Sequence, residues 1–324
     1  MTSPRSLHLR ALGGLLVANL FWGLSFPLVK ALALTHQRLL PGSGNWFITA
    51  GVTAPRFLLA TLVLLPVLGR RVATLTRGEI RQGVLLGATA GAGMLFQVDG
   101  LQFTPASVSA FLTQFYAVLI PVWLAWQARR RPPPVVLVSV VLVLAGVAVL
   151  GRFDFRALRL GRGELETLLS SVFFMMQILV LGRKDFAGNR VLPVTGVLFA
   201  TEAVFFVLLA AGTAGHPADL LVPWTSGVWL VFTGLLTVVC TLGAFLLMVR
   251  WQPVITTTEA GLVYCVEPVF ASLLALFLPA VFSAWGGLDY ANEHVTWHLL
   301  VGGGLVTAAN LLLQLRPAAA AAHA

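Results

Sequence analysis

The chain has 324 residues, of which 58% are hydrophobic and 10% charged, and its mean hydropathy is +0.90. That balance lies outside the soluble globular range and inside that of multi-pass membrane proteins. The formal charge of +9 does not point to nucleic acid, because most of the 21 Lys and Arg residues sit in short segments between apolar runs rather than along one face. With only two cysteines, Cys240 and Cys265, each inside an apolar run, a disulfide framework and a thiolate metal cluster are excluded.

A hydrocarbon layer about 30 Å thick takes about 20 helical residues to cross, and every backbone polar group in lipid must be bonded within its own segment. On that basis the apolar runs predict ten spans, at 11–34, 46–68, 80–102, 105–127, 134–150, 164–182, 192–213, 227–249, 255–279 and 297–315. The first run follows Arg5 and Arg10, and Ala31-Leu32-Ala33 resembles a signal cleavage site, but the run's length, Pro27 and Lys30 favour a retained helix.

Alternating the spans places Arg70, Arg71, Arg77, Arg81, Arg129, Arg130, Arg131, Arg183, Lys184, Arg190, Arg250 and Arg316 on the side of the N-terminus. The positive-inside rule then predicts a cytoplasmic (inner) membrane protein with both termini cytoplasmic. The exception is the cluster from Arg152 to Arg162, within a stretch from Gly151 to Gly163 that reads as a connector between halves, 1–155 and 156–324.

Shifting the chain on itself by about 150 residues aligns Gly93 with Gly243, Gln102 with Gln252, Ala110 with Ala260 and Leu112 with Leu262. A repeat unit with an odd number of spans enters the membrane upside down the second time, which is the inverted repeat of many transporters. Loop charges agree: Arg129-Arg130-Arg131 precede the fifth span, whereas Asp289 and Glu293 precede the tenth. The fold class expected is an all-α polytopic membrane protein with ten transmembrane helices arranged as two inverted five-helix repeats.

An ionisable side chain in mid-span is costly unless paired, wetted or neutral, so each is a functional candidate. Arg56, Glu202 and Glu267 lie deepest and form the expected coupling group or intramembrane charge pair. Pro268 follows Glu267 and opens its helix locally, which suits a titratable carboxylate on a transport pathway. A fixed pair with Arg56 is the structural alternative. Glu259 belongs near the cytoplasmic end, while Asp99 and Lys30 are expected to snorkel from the outer ends of their spans. Asn19, Trp22, Gln97, Gln114, Tyr116, Gln177 and Tyr264 are candidates, with Glu267, for the lining of an amphipathic substrate pocket, set against ordinary interhelical packing.

Catalysis finds little support. No Gly-x-Ser-x-Gly, His-Glu-x-x-His or P-loop pattern occurs, and the nearest approach to a metal set is Glu293, His294 and His298. No metal, cofactor or catalytic residue is expected. The alternative class is a membrane enzyme or accessory protein acting on a lipid-linked substrate.

Phe21-Trp22-Gly23-Leu24-Ser25-Phe26-Pro27-Leu28-Val29-Lys30 and Arg56-Phe57-Leu58-Leu59-Ala60 resemble an EamA-type member of the drug/metabolite transporter superfamily. The likeness continues through 100–112, through Glu267-Pro268-Val269-Phe270 and through 293–302. It implies ten helices in two inverted repeats and alternating access to a central cavity, usually for metabolite export. Two features depart from the family pattern. Arg129-Arg130-Arg131 replace an acidic residue, and the loop from Pro279 to Trp297 is longer, with Trp285, Asp289 and Tyr290 suggesting an external lid. The expected function is a secondary transporter for a small metabolite, such as an amino acid or related amphipathic compound, by proton coupling or facilitated diffusion. Its partners are that substrate, the lipid bilayer and, as an option, a second copy in a homodimer.

Overall fold

The computed structural model describes residues 4–151, 160–255 and 257–314, and every regular element in them is helical. In chain order these are α1 (Pro4–Leu39), α2 (Asn45–Leu68), α3 (Arg77–Gly100), α4 (Ala106–Thr113), α5 (Tyr116–Gln127), α6 (Pro134–Leu150) and α7 (Arg162–Leu181). They continue as α8 (Val191–Thr213), α9 (Gly227–Leu235), α10 (Ala244–Trp251), α11 (Thr257–Tyr264), α12 (Glu267–Ala275), α13 (Leu278–Gly286) and α14 (Trp297–Gln314). A π-helical stretch, Leu236–Gly243, joins α9 to α10 into one long rod. Most of the proposed connector between halves, 152–159, lies outside the described residues, as do Arg316 and the side chain of Glu259.

Seven uninterrupted stretches are long and apolar enough to cross a membrane, and the bent pair Leu262–Ala275 and Leu278–Gly286, kinked by 50°, makes an eighth. Two expected spans fall short of that measure: α6 is apolar but has 17 residues, and α3 has 24 but carries Gln82, Gln97 and Asp99. Large apolar side chains such as Leu62, Val67, Val141, Leu208, Val238 and Val281 are exposed on the helix exteriors. A soluble protein rarely tolerates so broad an apolar surface; a lipid-facing one requires it.

Local chemistry sets the boundaries. Thr76 and Glu79 form a reciprocal capping box at the start of α3, while Gly69, at φ 49°, ends α2. Two expected spans are broken rather than continuous. The span 105–127 divides at 114–115, between α4 and α5, and the span 255–279 divides at 265–266, between α11 and α12. Pro268 cannot donate to the carbonyl of Tyr264, so the second break falls there. Pro279 likewise leaves the Ala275 carbonyl free, and the Glu293 backbone N–H occupies it at 2.9 Å. The loop expected from Pro279 to Trp297 is therefore partly helical: α13 fills its first part and stops at Gly287, φ 63°.

The most extensive packing crosses between halves: α2 on α8, α3 on α7 and α8, α6 on α14, and α1 on α12 and α10. Small residues permit the close crossings. A Cβ on Gly163 would lie 2.7 Å from the Gly100 carbonyl, and one on Gly146 would lie 2.8 Å from that of Gly302. The largest apolar cluster, including Phe26, Leu32, Trp229, Phe232 and Phe282, backs the face where α1 ends.

Candidate functional site

A cavity of about 590 Å3 lies between the helices and is walled by both halves of the chain. Its inner wall combines Trp22 of α1, Arg56 of α2, Tyr116 of α5, Glu202 of α8, Tyr264 of α11 and Glu267 of α12. Gln177 and Phe174 of α7, Met94 of α3 and Phe199 of α8 extend it. It reaches the surface at the α7–α8 loop, past Asn189, where Ala187 and Val191 are exposed. Seven of the expected site residues therefore share one cavity: Trp22, Arg56, Tyr116, Gln177, Glu202, Tyr264 and Glu267.

The remaining three stand apart from its walls. Asn19 donates to the Leu15 carbonyl at 2.8 Å within its own helix, Gln97 donates to Thr113 Oγ1 at 2.9 Å, and Gln114 is buried. Of these bonds only that of Gln97 crosses from one helix to another, and none of the three residues lines the cavity.

Arg56 and Glu202 are both buried, yet their arrangement is not a simple ion pair. Arg56 Nε donates to Thr241 Oγ1 at 2.6 Å, and Thr241 Oγ1 in turn donates to the Leu236 carbonyl at 2.9 Å across the π turn. That five-residue spacing aims Thr241 at Arg56, the kind of local distortion that recurs at functional positions. Glu202 acts on Arg56 electrostatically, and its Oε2 has no hydrogen-bond partner.

Glu267 occupies the first position of α12, where the helix N-terminus favours negative charge. It is half-buried, as are Trp22, Tyr116 and Tyr264 around it. It lines the cavity with both tyrosines, and the rings of Trp22 and Tyr264 stand 5.8 Å apart, tilted by 60°. The Tyr264 hydroxyl donates to Gln252 Oε1 at 2.9 Å, which fixes that ring from behind.

The opposite end of the bundle is closed by polar contacts. Asp99 is fully buried and does not snorkel; it meets Arg162 NH2 at 2.5 Å, and Arg162 Nε reaches Glu166 at 2.8 Å. Lys30 Nζ donates to the Thr104 carbonyl at 2.6 Å, and Thr104 Oγ1 donates to Glu164 at 2.7 Å. Glu293, considered for a metal from the sequence, accepts the Ala106 N–H at 2.6 Å and the Ser107 hydroxyl, satisfying the exposed start of α4. Among the described residues no group of three His, Cys, Asp or Glu side chains is placed to hold a metal ion.

Sequence reasoning missed Thr241, Phe174, Gln82 and Asn189 at the cavity, and Arg162 and Glu293 as closing groups. A π turn leaves no mark in hydropathy, and Arg162 was obscured by the basic cluster before it.

An all-helical bundle with an apolar exterior and a polar-floored cavity between its halves defines a multi-pass membrane protein. Residues 9–152 match the EamA-like transporter family. An "Uncharacterized transporter" of Archaeoglobus fulgidus is 25% identical over 266 residues, covering 81% of this chain and 76% of that protein. A solved protein, titled only as a crystal structure, shares the fold with a TM-score of 0.52 at 16% identity, over 91% of this chain and 96% of that one. These likenesses point to membrane transport: the first half of the chain is similar to the EamA-like transporters, and most of the chain is similar to a protein named as a transporter.

Proposed function

We propose that the protein is a secondary transporter that exports a small amphipathic metabolite, an amino acid or a related compound, by alternating access. The observation that carries this reading is the cavity itself, which opens at one face, while at the other the Asp99–Arg162 ion pair and the Glu293 hydrogen bonds tie the helices together. The open face carries Arg81, Lys184 and Arg250, so the positive-inside rule makes it cytoplasmic and the cavity is loaded from the cytosol.

The architecture proposed is ten spans in two inverted halves, 1–155 and 156–324. Breaks at 114–115 and 265–266 fall at corresponding places in the two halves, and the cross-half pairings are those a two-fold axis in the membrane plane would generate. Glu267 is the proposed proton-coupling group. A Glu267→Gln protein that transports normally under an imposed pH gradient removes that role and leaves facilitated diffusion.

The test of the main reading is mass spectrometry of medium and cytosol from cells expressing equal amounts of wild type and Glu267→Ala. External enrichment with internal depletion of a metabolite, specific to wild type, is the expected result. No difference across a broad metabolite panel counts against export.

A further inference from the structure

We propose that the inner end of the cavity is an ammonium site: Glu267, with the faces of Trp22, Tyr116 and Tyr264, binds the cationic nitrogen of an amine whose apolar body lies along Phe174 and Met94. The inference rests on the cavity being the transport site and specifies what it takes.

The charge balance of the lining carries the argument. Arg56 is the one Lys or Arg among the described residues that line the cavity. It is committed to Thr241 at 2.6 Å, and the Glu202 carboxyl lies close to it. Glu267 is the second carboxyl group of the cavity wall, and no Lys or Arg among the described lining residues is bonded to it. A lone anionic group flanked by three electron-rich rings is complementary to a monocation, because ring faces attract positive charge most strongly where water is thinned. An anion would meet Glu267 with like charge, and desolvating that contact costs several-fold to many-fold in affinity.

The rings are also held for this purpose rather than free to collapse inward. Tyr264 is tethered to Gln252 at 2.9 Å, Trp22 stands against it at 5.8 Å, and the helix breaks on either side put Tyr116 and Glu267 at the starts of α5 and α12. The volume, about 590 Å3, holds an arylalkylamine-sized molecule with room for water.

The test uses the full-length protein in lipid nanodiscs and three probes that share a phenyl body: 2-phenylethylammonium, L-phenylalanine and 3-phenylpropanoate. Binding is read by calorimetry and by tryptophan fluorescence. The expected order is amine, then amino acid, then anion, with the amine bound about tenfold or more above the anion. Glu267→Gln is expected to weaken the amine by about tenfold and leave the anion unchanged or improved. Trp22→Leu, a second variant that keeps the carboxylate, is expected to weaken the amine more than the anion. Equal binding of amine and anion by wild type overturns the ammonium site while leaving the cavity a binding site. Unchanged amine affinity in both variants does the same. Binding of none of the three also overturns it, and the metabolite comparison then judges the transport reading independently.

Discussion

The two ends of the bundle are built from different materials. At the end that carries Asp99, Arg162 and Glu293, the buried Asp99 and the half-buried Glu293 are bonded to partners across helices and halves. At the end that carries Gln82, Asn189 and Met248, the cavity runs out between α3, α8 and α10, and the Glu79–Arg190 bridge stands at its margin without closing it. The buried Asp99 carboxylate is stable there only while its partners stay in place, since a buried charge that loses its partner is penalised rather than merely unrewarded. The closed end is therefore suited to open cooperatively, whereas the open end has little to break.

That contrast is broken most severely at the close crossing of α3 and α7. A Cβ on Gly163 would meet the Gly100 carbonyl at 2.7 Å and the Thr104 backbone nitrogen at 2.9 Å, and neither can yield without moving a helix. Gly163→Val is expected to cost about 3 kcal/mol, measured as lowered thermal stability in detergent. An unchanged melting temperature would show that the closed end is not packed in this way.

Arg162→Ala comes next. It strands the fully buried Asp99, and because Arg162 is itself 45% exposed the expected loss is about 2 kcal/mol, below that of a fully buried pair. Asp99→Ala takes the acceptor from Arg162 and also from the Thr49 hydroxyl and the Gln102 amide, but it leaves no buried charge and is expected to cost less. The reverse order would sink the asymmetry.

A gentler comparison places single cysteines in a background with Cys240 and Cys265 replaced by serine. Gln177→Cys, on the cavity wall, is expected to react readily with a small maleimide, and Ser107→Cys, beneath Glu293, to react slowly. Equal rates would mean that both ends admit solvent.

The smallest effect concerns pH. Arg190, hydrogen-bonded to Glu79, holds that carboxyl down at about 2 against an ordinary 4.5. A depressed carboxyl stabilises the fold above its unfolded-state value, and that contribution drains away as pH falls through the folded one. Melting temperature should therefore be indifferent to this pair at neutral pH and fall between about pH 4.5 and 2. Glu79→Gln should flatten that acid limb.

Much of the fold was legible in the linear chain because lipid imposes simple rules. Apolar runs had to be helices, and Pro268 announced the opening of a helix beside Glu267. The breaks were less legible: no residue in Phe111–Tyr116 advertises the division of α4 from α5, where the chain tightens into three-residue turns. At the candidate site, the deep residues Arg56, Glu202 and Glu267 stood out through their cost in a bilayer, and all three line the cavity. Asn19, Gln97 and Gln114 looked equivalent in sequence but are buried away from the cavity wall, because polarity does not say which way a side chain faces.

The sequence by itself determined a helical membrane protein, the places where ionisable groups enter its spans and, through 9–152, a likeness to the EamA-like transporters. Only the tertiary structure decided that Arg56 answers to Thr241 and Glu202, that Glu267 stands with three rings, and that Asp99 is sealed by Arg162. Hydropathy is a property of each segment read alone, whereas pairing depends on the rotation of each helix about its axis. Those rotations are fixed by the close glycine crossings and by the turn at Leu236–Gly243.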